Sequence, residues 1–280
     1  RMEDVVEKIM NSIVHHGQNS NRIYLMKLDE SDLPHISQRL DNLAKQNNYT
    51  KIIAKIPCKF KDAFLGNGYE QEAYIPNLFN GKDDGCFVCK YFDEQRKTDC
   101  FNTECTEILR NAQKKDLLSA NKILENGYVC RQADEYDISN IVDLYRAVFK
   151  SYPFPIFEEK YIAQTMKENV IYFGIWNNKS LVAVSSIEMD KHNFNAEMTD
   201  FAVLNEFRGN GFALYLLEEM EKNFNKLDIK TAFTIARAKS AGMNITFARK
   251  GYIYAGTLIN NTDIAGQIES MNVWYKNISI

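Results

Sequence analysis

The segment FRGNGFALYLL, residues 207–217, places an arginine and two glycines directly before an amphipathic pattern. Glycines let a backbone approach a ligand closely, and the first turn of a helix presents free amides and the positive end of its dipole. With the charge of Arg208, these groups predict an anion site, typically for a phosphate. The dinucleotide fingerprint is not met, because Leu214 stands at its third glycine. A strand-to-helix turn that binds nothing is the alternative.

The cysteines and histidines do not form a competing metal site. Cys86 and Cys89 have a C-x2-C spacing, but CFVCKYF reads as a strand, in which positions three apart point to opposite faces. Free thiols that pack as small hydrophobic groups are therefore expected, in place of zinc ligands or disulfides. The four histidines form no metal-binding motif, so no metal is predicted.

Composition limits the class of protein. A chain of 280 residues suits two modest domains. A net charge of -3 gives no electrostatic reason to expect nucleic acid or an anionic membrane as a partner. No apolar run approaches the ~20 residues of a membrane helix, and no signal peptide is visible. A cytoplasmic enzyme or binding protein is expected.

The second part of the chain reads as a mixed sheet with helices on its faces. A strand near 128–131 precedes a helix from about Asp137, which ends before Pro153. The remaining periodicity gives the order β-α-α-β-β-β-α-β-α-β-β. The helix after the glycine loop carries an apolar stripe that includes Phe212 and Met220, so it is expected to pack on the sheet.

The first part of the chain repeats the later part of this order. RIYLMKL predicts a strand, LPHISQRLDNLAKQN a helix and YTKIIAKIP a strand. FLGNGY then matches FARKGY as F-x3-G-Y, before two more strands. TECTEILRNAQKKDLLSANKIL predicts a connecting helix. The fold class is thus α/β (α+β), in two domains: residues 1–127, here the first half, and residues 128–280, the second half.

Arg208-x-x-Gly211-x-Ala213 and the elements around it resemble the GNAT acyltransferases, whose signature is R/Q-x-x-G-x-G/A. The resemblance covers about residues 128–280 and implies a GNAT-type mixed sheet flanked by helices, with the first half as a half-GNAT-like domain. It also implies acetyl-CoA as co-substrate, with its pyrophosphate in the loop and its pantetheine arm on the preceding strand. The residues expected to bind the coenzyme are Val203, Leu204, Arg208, Gly209, Asn210, Gly211, Phe212, Ala213, Asn244 and Phe247.

The first half contains a second GNG, at Gly66–Gly68, which aligns with the end of a helix. Its equivalent of the phosphate loop is LDESDLP, which is acidic and lacks glycine, so it would repel a pyrophosphate. The first half is therefore expected to lack a coenzyme site. Completing the sheet, covering the substrate cleft and mediating contacts in a homodimer are its expected roles.

Acetyl transfer to an amine needs a base, because an alkyl ammonium has a pKa of about 10.4. Glu197 and Asp200, on the strand before the loop, are the candidates. Strict alternation would let only one of them line the cleft, although GNAT relatives carry a bulge here that could re-aim either. Two solvated carboxylates at a strand end are the alternative. A backbone amide of residues 201–204 is the oxyanion donor that the family implies.

The acid that would protonate the leaving thiolate is less evident. Many GNAT relatives have a tyrosine in the helix before the GY sequence, where this chain has Phe247. Tyr252 and Tyr254 are nearby substitutes. Alternatively the thiolate leaves unassisted, since a thiol has a pKa near 8.5.

Nearly the whole chain is similar to a narrower family, the β-lysine Nε-acetyltransferases of methanogenic archaea and some bacteria. Segments that carry the similarity include NGYEQEAYIPNLFNG, EMTDFAVLNEFRGNGFALYLL and LINNTDIAGQIESMNVWYK. This implies transfer of acetyl to the terminal amine of β-lysine by direct attack in a ternary complex. The product would be the compatible solute Nε-acetyl-β-lysine, used in osmoadaptation. Another small amine as substrate, or a non-catalytic acyl-CoA sensor, is the alternative.

Four residues are expected to bind the amino-acid substrate. Glu269 could accept its second ammonium, and Arg237 could hold its carboxylate in a forked pair. Tyr152 and Phe154, in the loop YPFPIF, could pack against the methylene chain. The alternatives are a surface residue for Glu269, a neighbouring acid as partner of Arg237, and plain core for the aromatic residues.

Overall fold

One mixed β-sheet runs through the part of the chain that the computed structural model describes, residues 4–278. The predicted domain limits at residues 1 and 280 lie outside the described residues. The thirteen strands within this range lie in the order β1-β2-β3-β4-β6-β5-β12-β13-β11-β10-β9-β8-β7. Their bounds are β1 (Val5–Ile9), β2 (Ser12–Gly17), β3 (Arg22–Lys27), β4 (Lys51–Pro57), β5 (Glu70–Phe79), β6 (Asp83–Tyr91), β7 (Tyr128–Gln132), β8 (Val170–Asn177), β9 (Ser180–Asp190), β10 (Asn195–Val203), β11 (Thr231–Arg237), β12 (Ile253–Ile264) and β13 (Gln267–Asn277).

Seven α-helices of the described residues cover the faces of this sheet. They are α1 (Ile36–Asn47), α2 (Lys61–Leu65), α3 (Asn102–Gln113), α4 (Ile138–Val148), α5 (Glu159–Glu168), α6 (Phe212–Glu221) and α7 (Ala241–Arg249). Within residues 4–278, none of the helices has both the length and the apolar character needed to cross a membrane. The predicted class, a mixed sheet flanked by helices, is confirmed.

The element order predicted for the second half is also confirmed, as β7-α4-α5-β8-β9-β10-α6-β11-α7-β12-β13. The apolar stripe of α6 packs on the sheet, with Phe212, Leu216 and Met220 all buried in one cluster. In the first half, Cys86 and Cys89 of β6 lie in separate apolar clusters. They therefore face opposite sides of the sheet, as the strand prediction required.

The first half differs from the prediction in two places. The connecting helix ends at Gln113, and residues 114–127 are irregular. There the Leu118 amide donates to the Arg249 carbonyl (3.1 Å) instead of to an intrahelical partner. β1 and β2 were not foreseen: β1 is almost wholly exposed and has no buried apolar face, and β2 buries two polar residues, His15 and His16, in place of an apolar pattern.

Counted outward from the centre of the sheet, both halves repeat one strand order. The first half gives β5-β6-β4-β3-β2-β1, and the second gives β12-β13-β11-β10-β9-β8 with β7 added at its outer edge. Each has one parallel pair, β3/β4 or β10/β11, whose strands are linked by α1 or α6. The first GNG follows the end of α2, where Gly68 has φ +85°, so its reading as a helix end is confirmed. The division at residue 127 stays a prediction, because one sheet runs through both halves.

The two halves are in contact along β5 and an irregular segment of β12. β5 and β12 share one paired position, Ala73 with Gly256, and the register of β12 against β13 breaks between Leu258 and Thr262. Within this break, three successive carbonyls, here called the docking carbonyls, accept hydrogen bonds from buried cations of the first half. The bonds are Lys51 Nζ to Ile259 O (2.6 Å), Arg96 Nε to Asn260 O (2.6 Å) and Arg22 Nη1 to Asn261 O (2.9 Å).

An ion pair inside the first half reinforces this contact. Lys51 Nζ lies 2.7 Å from Glu72 Oε1, and both side chains are buried. The other oxygen of Glu72 accepts the amide of Ile259 at 2.9 Å. One ion pair therefore satisfies both backbone polar groups of Ile259, which has left the regular ladder.

Lys51→Met is expected to lower the free energy of unfolding by about 3 kcal/mol, because Glu72 stays buried without its cation. Equilibrium urea unfolding measures this change. Lys59→Met is the matched control, since Lys59 pairs with Glu30 at the surface, where the side chains are 52% and 64% exposed. The control is expected to change the unfolding free energy by less than about 0.5 kcal/mol. Equal losses in the two variants would contradict the role given to Lys51.

Candidate active site

A cleft opens in the sheet where β10 and β11 separate. The two strands are paired only at residues 195–197 of β10 and 231–233 of β11. Beyond these positions their facing edges border a cavity of about 700 Å³. The cavity is also lined by the loop before α6, by residues of the YPFPIF loop, and by β3 and β4 of the first half.

β10 bulges as it enters this cleft. Its register against β9 shifts between Thr199 and Ala202, and Asp200 adopts φ +55°. A bulge changes the face to which the following side chain points. Strict alternation therefore fails, and Glu197 and Asp200 both line the cavity.

The carboxylate of Asp200 is already engaged by neighbouring side chains. Tyr152 donates its hydroxyl to Oδ1 and Ser186 donates to Oδ2, each at 2.5 Å. Burial raises the pKa of Asp200, while the hydrogen bonds from Ser186 and Tyr152 lower it. Asp200 is thus tied to the walls of the cleft as an acceptor.

Glu197 differs, because its carboxylate has no hydrogen-bond or ion-pair partner among residues 4–278. It lies directly opposite Glu188, its register partner on β9. Burial, and then repulsion from Glu188, raise the pKa of Glu197 to about 8. The pKa of Glu188 is raised as well, by burial and by the charge of Asp200. A carboxylate with these properties can exchange a proton with a ligand near neutral pH.

The loop before α6 presents a row of free amides at one end of the cavity. Gly209 and Gly211 have φ +85° and +73°, values that favour glycine. The backbone amides of residues 209–213 donate to no oxygen within the described chain. Arg208 is exposed beside them, and a Cβ on Gly211 would lie 2.9 Å from Cε of Lys122 in the irregular linker. Free amides and two cations make this loop suited to a phosphate.

Most of the residues expected to bind the coenzyme line the cavity. They are Val203, Arg208, Gly209, Gly211, Phe212, Ala213 and Phe247. Asn210 does not line it, and its side chain donates to the carbonyl of Phe207 at 2.9 Å. Leu204 does not line it either: its side chain packs against the apolar cluster of α4 and α5, and its amide donates to Val182 O at 3.0 Å.

Asn244 has a structural role in this fold, and its expected contact with the coenzyme stays a prediction. Its side chain is fully buried, and its Nδ2 donates to the carbonyls of Arg237 and Ser240. Its Oδ1 accepts from Asn272 Nδ2 and Trp274 Nε1, each at 2.9 Å. With all these groups engaged, Asn244 ties α7 to β11 and β13 and is absent from the cavity lining.

Arg237 and Glu269, expected to bind the two charged ends of a substrate, bind each other. Their forked pair has two N–O distances of 2.8 Å, and Glu269 is 2% exposed. Arg237 borders the cavity, but Glu269 does not. A substrate ammonium at Glu269 would have to displace the half-buried guanidinium of Arg237 from a buried carboxylate, so these two residues are not proposed to bind the substrate. This pair is the alternative given above for Arg237, in which a neighbouring acid is its partner.

Tyr152 and Phe154 both line the cavity, in a loop held by the first half. The ring of Phe154 stacks on that of His15, with centroids 4.5 Å apart. Burial lowers the pKa of His15 to about 3. The ring is therefore neutral near pH 7, and its Nε2 donates to the carbonyl of Pro153 at 2.9 Å. His15 thus fixes the loop that roofs the cavity.

Neither tyrosine considered as a substitute acid reaches the cavity. The ring of Tyr252 lies edge-on to Phe247, and the hydroxyl of Tyr254 bonds to Thr257 Oγ1. Sequence reasoning also missed Glu188 and Lys55, which do line the cavity. A charged residue within an otherwise buried strand was the available signal for Lys55.

Comparison with known proteins identifies the class to which this fold and site belong. The model of the acetyltransferase (GNAT) family matches residues 138–251, which contain the bulged strand, the glycine loop, α6 and α7. The chain thus contains a GNAT acetyltransferase domain, of a class that uses acetyl-CoA.

Relatives that match nearly end to end narrow this class to a family. The chain is 40% identical to a β-lysine N(6)-acetyltransferase of Methanococcus maripaludis, over 98% of this chain and 99% of that one. It is 32% identical to a β-lysine N(6)-acetyltransferase of Methanosarcina mazei, over 85% and 95%. It is 31% identical to the N-acetyltransferase YodP of Bacillus subtilis, over 96% and 97%. The chain belongs to the family of the β-lysine N(6)-acetyltransferases, as the sequence resemblance predicted.

Gly211→Ala is expected to lower the free energy of unfolding by about 1 kcal/mol, because a side chain disfavours the left-handed backbone at this position. Gly242→Ala is the control, since Gly242 lies inside α7 with open space around its missing Cβ. Alanine there is expected to leave stability unchanged or to raise it by up to about 1 kcal/mol. Thermal unfolding of both variants measures the difference. Equal stability would show that the loop does not need its left-handed glycine.

Proposed function

We propose that the protein transfers the acetyl group of acetyl-CoA to the terminal amine of β-lysine, giving Nε-acetyl-β-lysine. The observation that carries the proposal is one cavity that joins an unpartnered glutamate, Glu197, to a loop of free amides. Two relatives in this family, one of them 40% identical, are named for transfer to this substrate. Another small amine as the substrate is the alternative to β-lysine.

In this proposal the glycine loop holds the phosphates of the coenzyme. The free amides of residues 209–213 are the donors, and Arg208 and Lys122 supply positive charge beside them. The edge of β10 that faces β11 is unpaired beyond Glu197, so it offers backbone groups to an extended arm of the coenzyme. Val203, on this edge, lines the cavity at the point where the arm would enter.

Glu197 is the general base of the proposal. The substrate ammonium must lose a proton before it can attack, and Glu197 has no other group competing for its carboxylate. Its raised pKa, about 8, lies between that of an ordinary carboxyl group and that of the amine. Asp200 has a positioning role, because it holds Tyr152 and Ser186 at the bulge.

The bulge itself supplies the donor for the oxyanion that forms on attack. Phe201 has no register partner on β9 or β11, so its amide is available within the cleft. We assign no protein acid to the departing thiolate, since Phe247 cannot donate a proton and neither Tyr252 nor Tyr254 lines the cavity. A thiol with a pKa of about 8.5 is a tolerable leaving group without one.

The cytoplasmic location, the use of the product as a compatible solute in osmoadaptation, and a homodimer stay predictions of the sequence. So do the absence of metal, nucleic acid and membrane from the reaction. Tyr152 and Phe154 are proposed to pack against the methylene chain of the substrate, since both border the cavity.

The acid limb of the pH profile tests the base. Protonation of Glu197 below about pH 8 removes the base, so kcat/KM is expected to fall as the pH decreases through this value. Glu197→Gln is expected to lower kcat by about 10²- to 10⁴-fold and to abolish this limb. Glu188→Gln removes the repulsion that raises the pKa of Glu197, so the limb should move to lower pH. A limb that stays in place in Glu188→Gln would refute the coupling of the two carboxylates.

A thiol-release assay with acetyl-CoA tests the substrate. β-Lysine is expected to give a kcat/KM at least about tenfold above those of α-lysine, ornithine and polyamines. A preference for α-lysine would overturn the substrate assignment. Thiol release no faster than hydrolysis with every amine would instead favour an acyl-CoA sensor.

A further inference from the structure

The first half forms one side of the substrate cavity. β3 and β4 turn alternate residues toward it, as expected for strands with one face on the cleft, and Lys27 joins them at the end of β3. The residues of these two strands that line the cavity are Arg22, Tyr24, Met26, Lys27, Ile53 and Lys55. The cavity thus continues from the coenzyme loop of the second half to a surface that contains cations of the first half.

Lys55 is a cation of this surface that makes no ion pair and no side-chain hydrogen bond within the described residues. It is half-buried, and within residues 4–278 no carboxylate lies within 4.0 Å of its Nζ and no acceptor hydrogen-bonds to it. Its Nζ lies over the ring of Phe233, 5.1 Å from the centroid. Other buried cations of the first half are engaged: Lys51, Lys90, Arg22 and Arg96 each donate to a carbonyl or a carboxylate. A half-buried ammonium that makes no ion pair of its own is available to pair with a ligand carboxylate.

The position of Lys55 relative to the base follows from strand register. Glu188, Glu197 and Phe233 are register partners across β9, β10 and β11, so their side chains lie in one row on the same face. The ammonium of Lys55 lies above the end of this row, one strand away from Glu197. Its charge also lowers the pKa of Glu197 and Glu188, against their burial.

We propose that Lys55 binds the carboxylate of the amino-acid substrate, and that the first half thereby selects amino acids over polyamines. This inference rests on the proposed function. Arg237 is held by Glu269, which leaves Lys55 as the half-buried cation free to receive a carboxylate in this cavity. A charge-assisted hydrogen bond would fix the far end of the substrate. A polyamine would bring an ammonium to the same point and be repelled.

The test compares three acceptors at saturating acetyl-CoA: β-lysine, ε-aminocaproate, which keeps the carboxylate, and decarboxylated β-lysine, which lacks it. Lys55→Met is expected to lower kcat/KM by about 10- to 100-fold for the two carboxylates. For decarboxylated β-lysine, kcat/KM should stay the same or rise. Lys55→Arg, which keeps the charge, should retain most of the preference for the carboxylates.

Lys59→Met is the matched control, because Lys59 is an exposed lysine of the first half that does not line the cavity. It is expected to change kcat/KM by less than about threefold with each acceptor, since an exposed charge is screened. Thermal unfolding and affinity for acetyl-CoA verify that Lys55→Met is folded. An equal loss with all three acceptors, or an unchanged ratio between them, would overturn the role of Lys55. If the proposed function is wrong, the wild-type protein will not acetylate β-lysine, and this result is distinct from a failure of the role given to Lys55.

Discussion

Three buried cations of the first half hold three successive carbonyls of β12, and the rest of the site depends on this contact. Lys51, Arg96 and Arg22 each donate to one docking carbonyl. If the halves moved apart, buried donors and acceptors would lose their partners together, at a cost of about 1–3 kcal/mol for each unsatisfied group. The contact therefore fixes β3 and β4 over the cleft, and with them the surface that carries Lys55.

The second constraint is the parting of β10 from β11 after three paired positions. Separation frees a strand edge for a ligand, and the bulge at Asp200 turns a second carboxylate into the same space. Burial of Glu197 beside Glu188 raises its pKa, which is useful for proton transfer but unfavourable for folding of the charged form. The site thus combines cations and carbonyls that are hydrogen-bonded to one another with a carboxylate, Glu197, that has no partner within the described residues.

Local patterns allowed much of this to be predicted. The glycine loop, the apolar stripe of α6 and the order of elements in the second half depend on neighbours in sequence, which periodicity reports directly. The roles of Asn244, Arg237 and Glu269 depend on partners brought together by the register of β11 and β13, which no local pattern contains. The bulge in β10 was also not predictable from strict alternation, because it depends on the pairing of β10 with β9. Lys55 was missed because the cavity brings its ammonium over Phe233, a residue of the other half of the chain.

The repeated strand order has a consequence for how the cleft is assembled. β5 covers the edge of β12 in the position where, in a two-subunit arrangement, a second chain would have to pair. Because both strands belong to one chain, this pairing is intramolecular, and its effective concentration is set by the intervening chain. A cleft built from two separate chains would come apart on dilution, whereas here both sides of the cleft remain together however dilute the protein becomes.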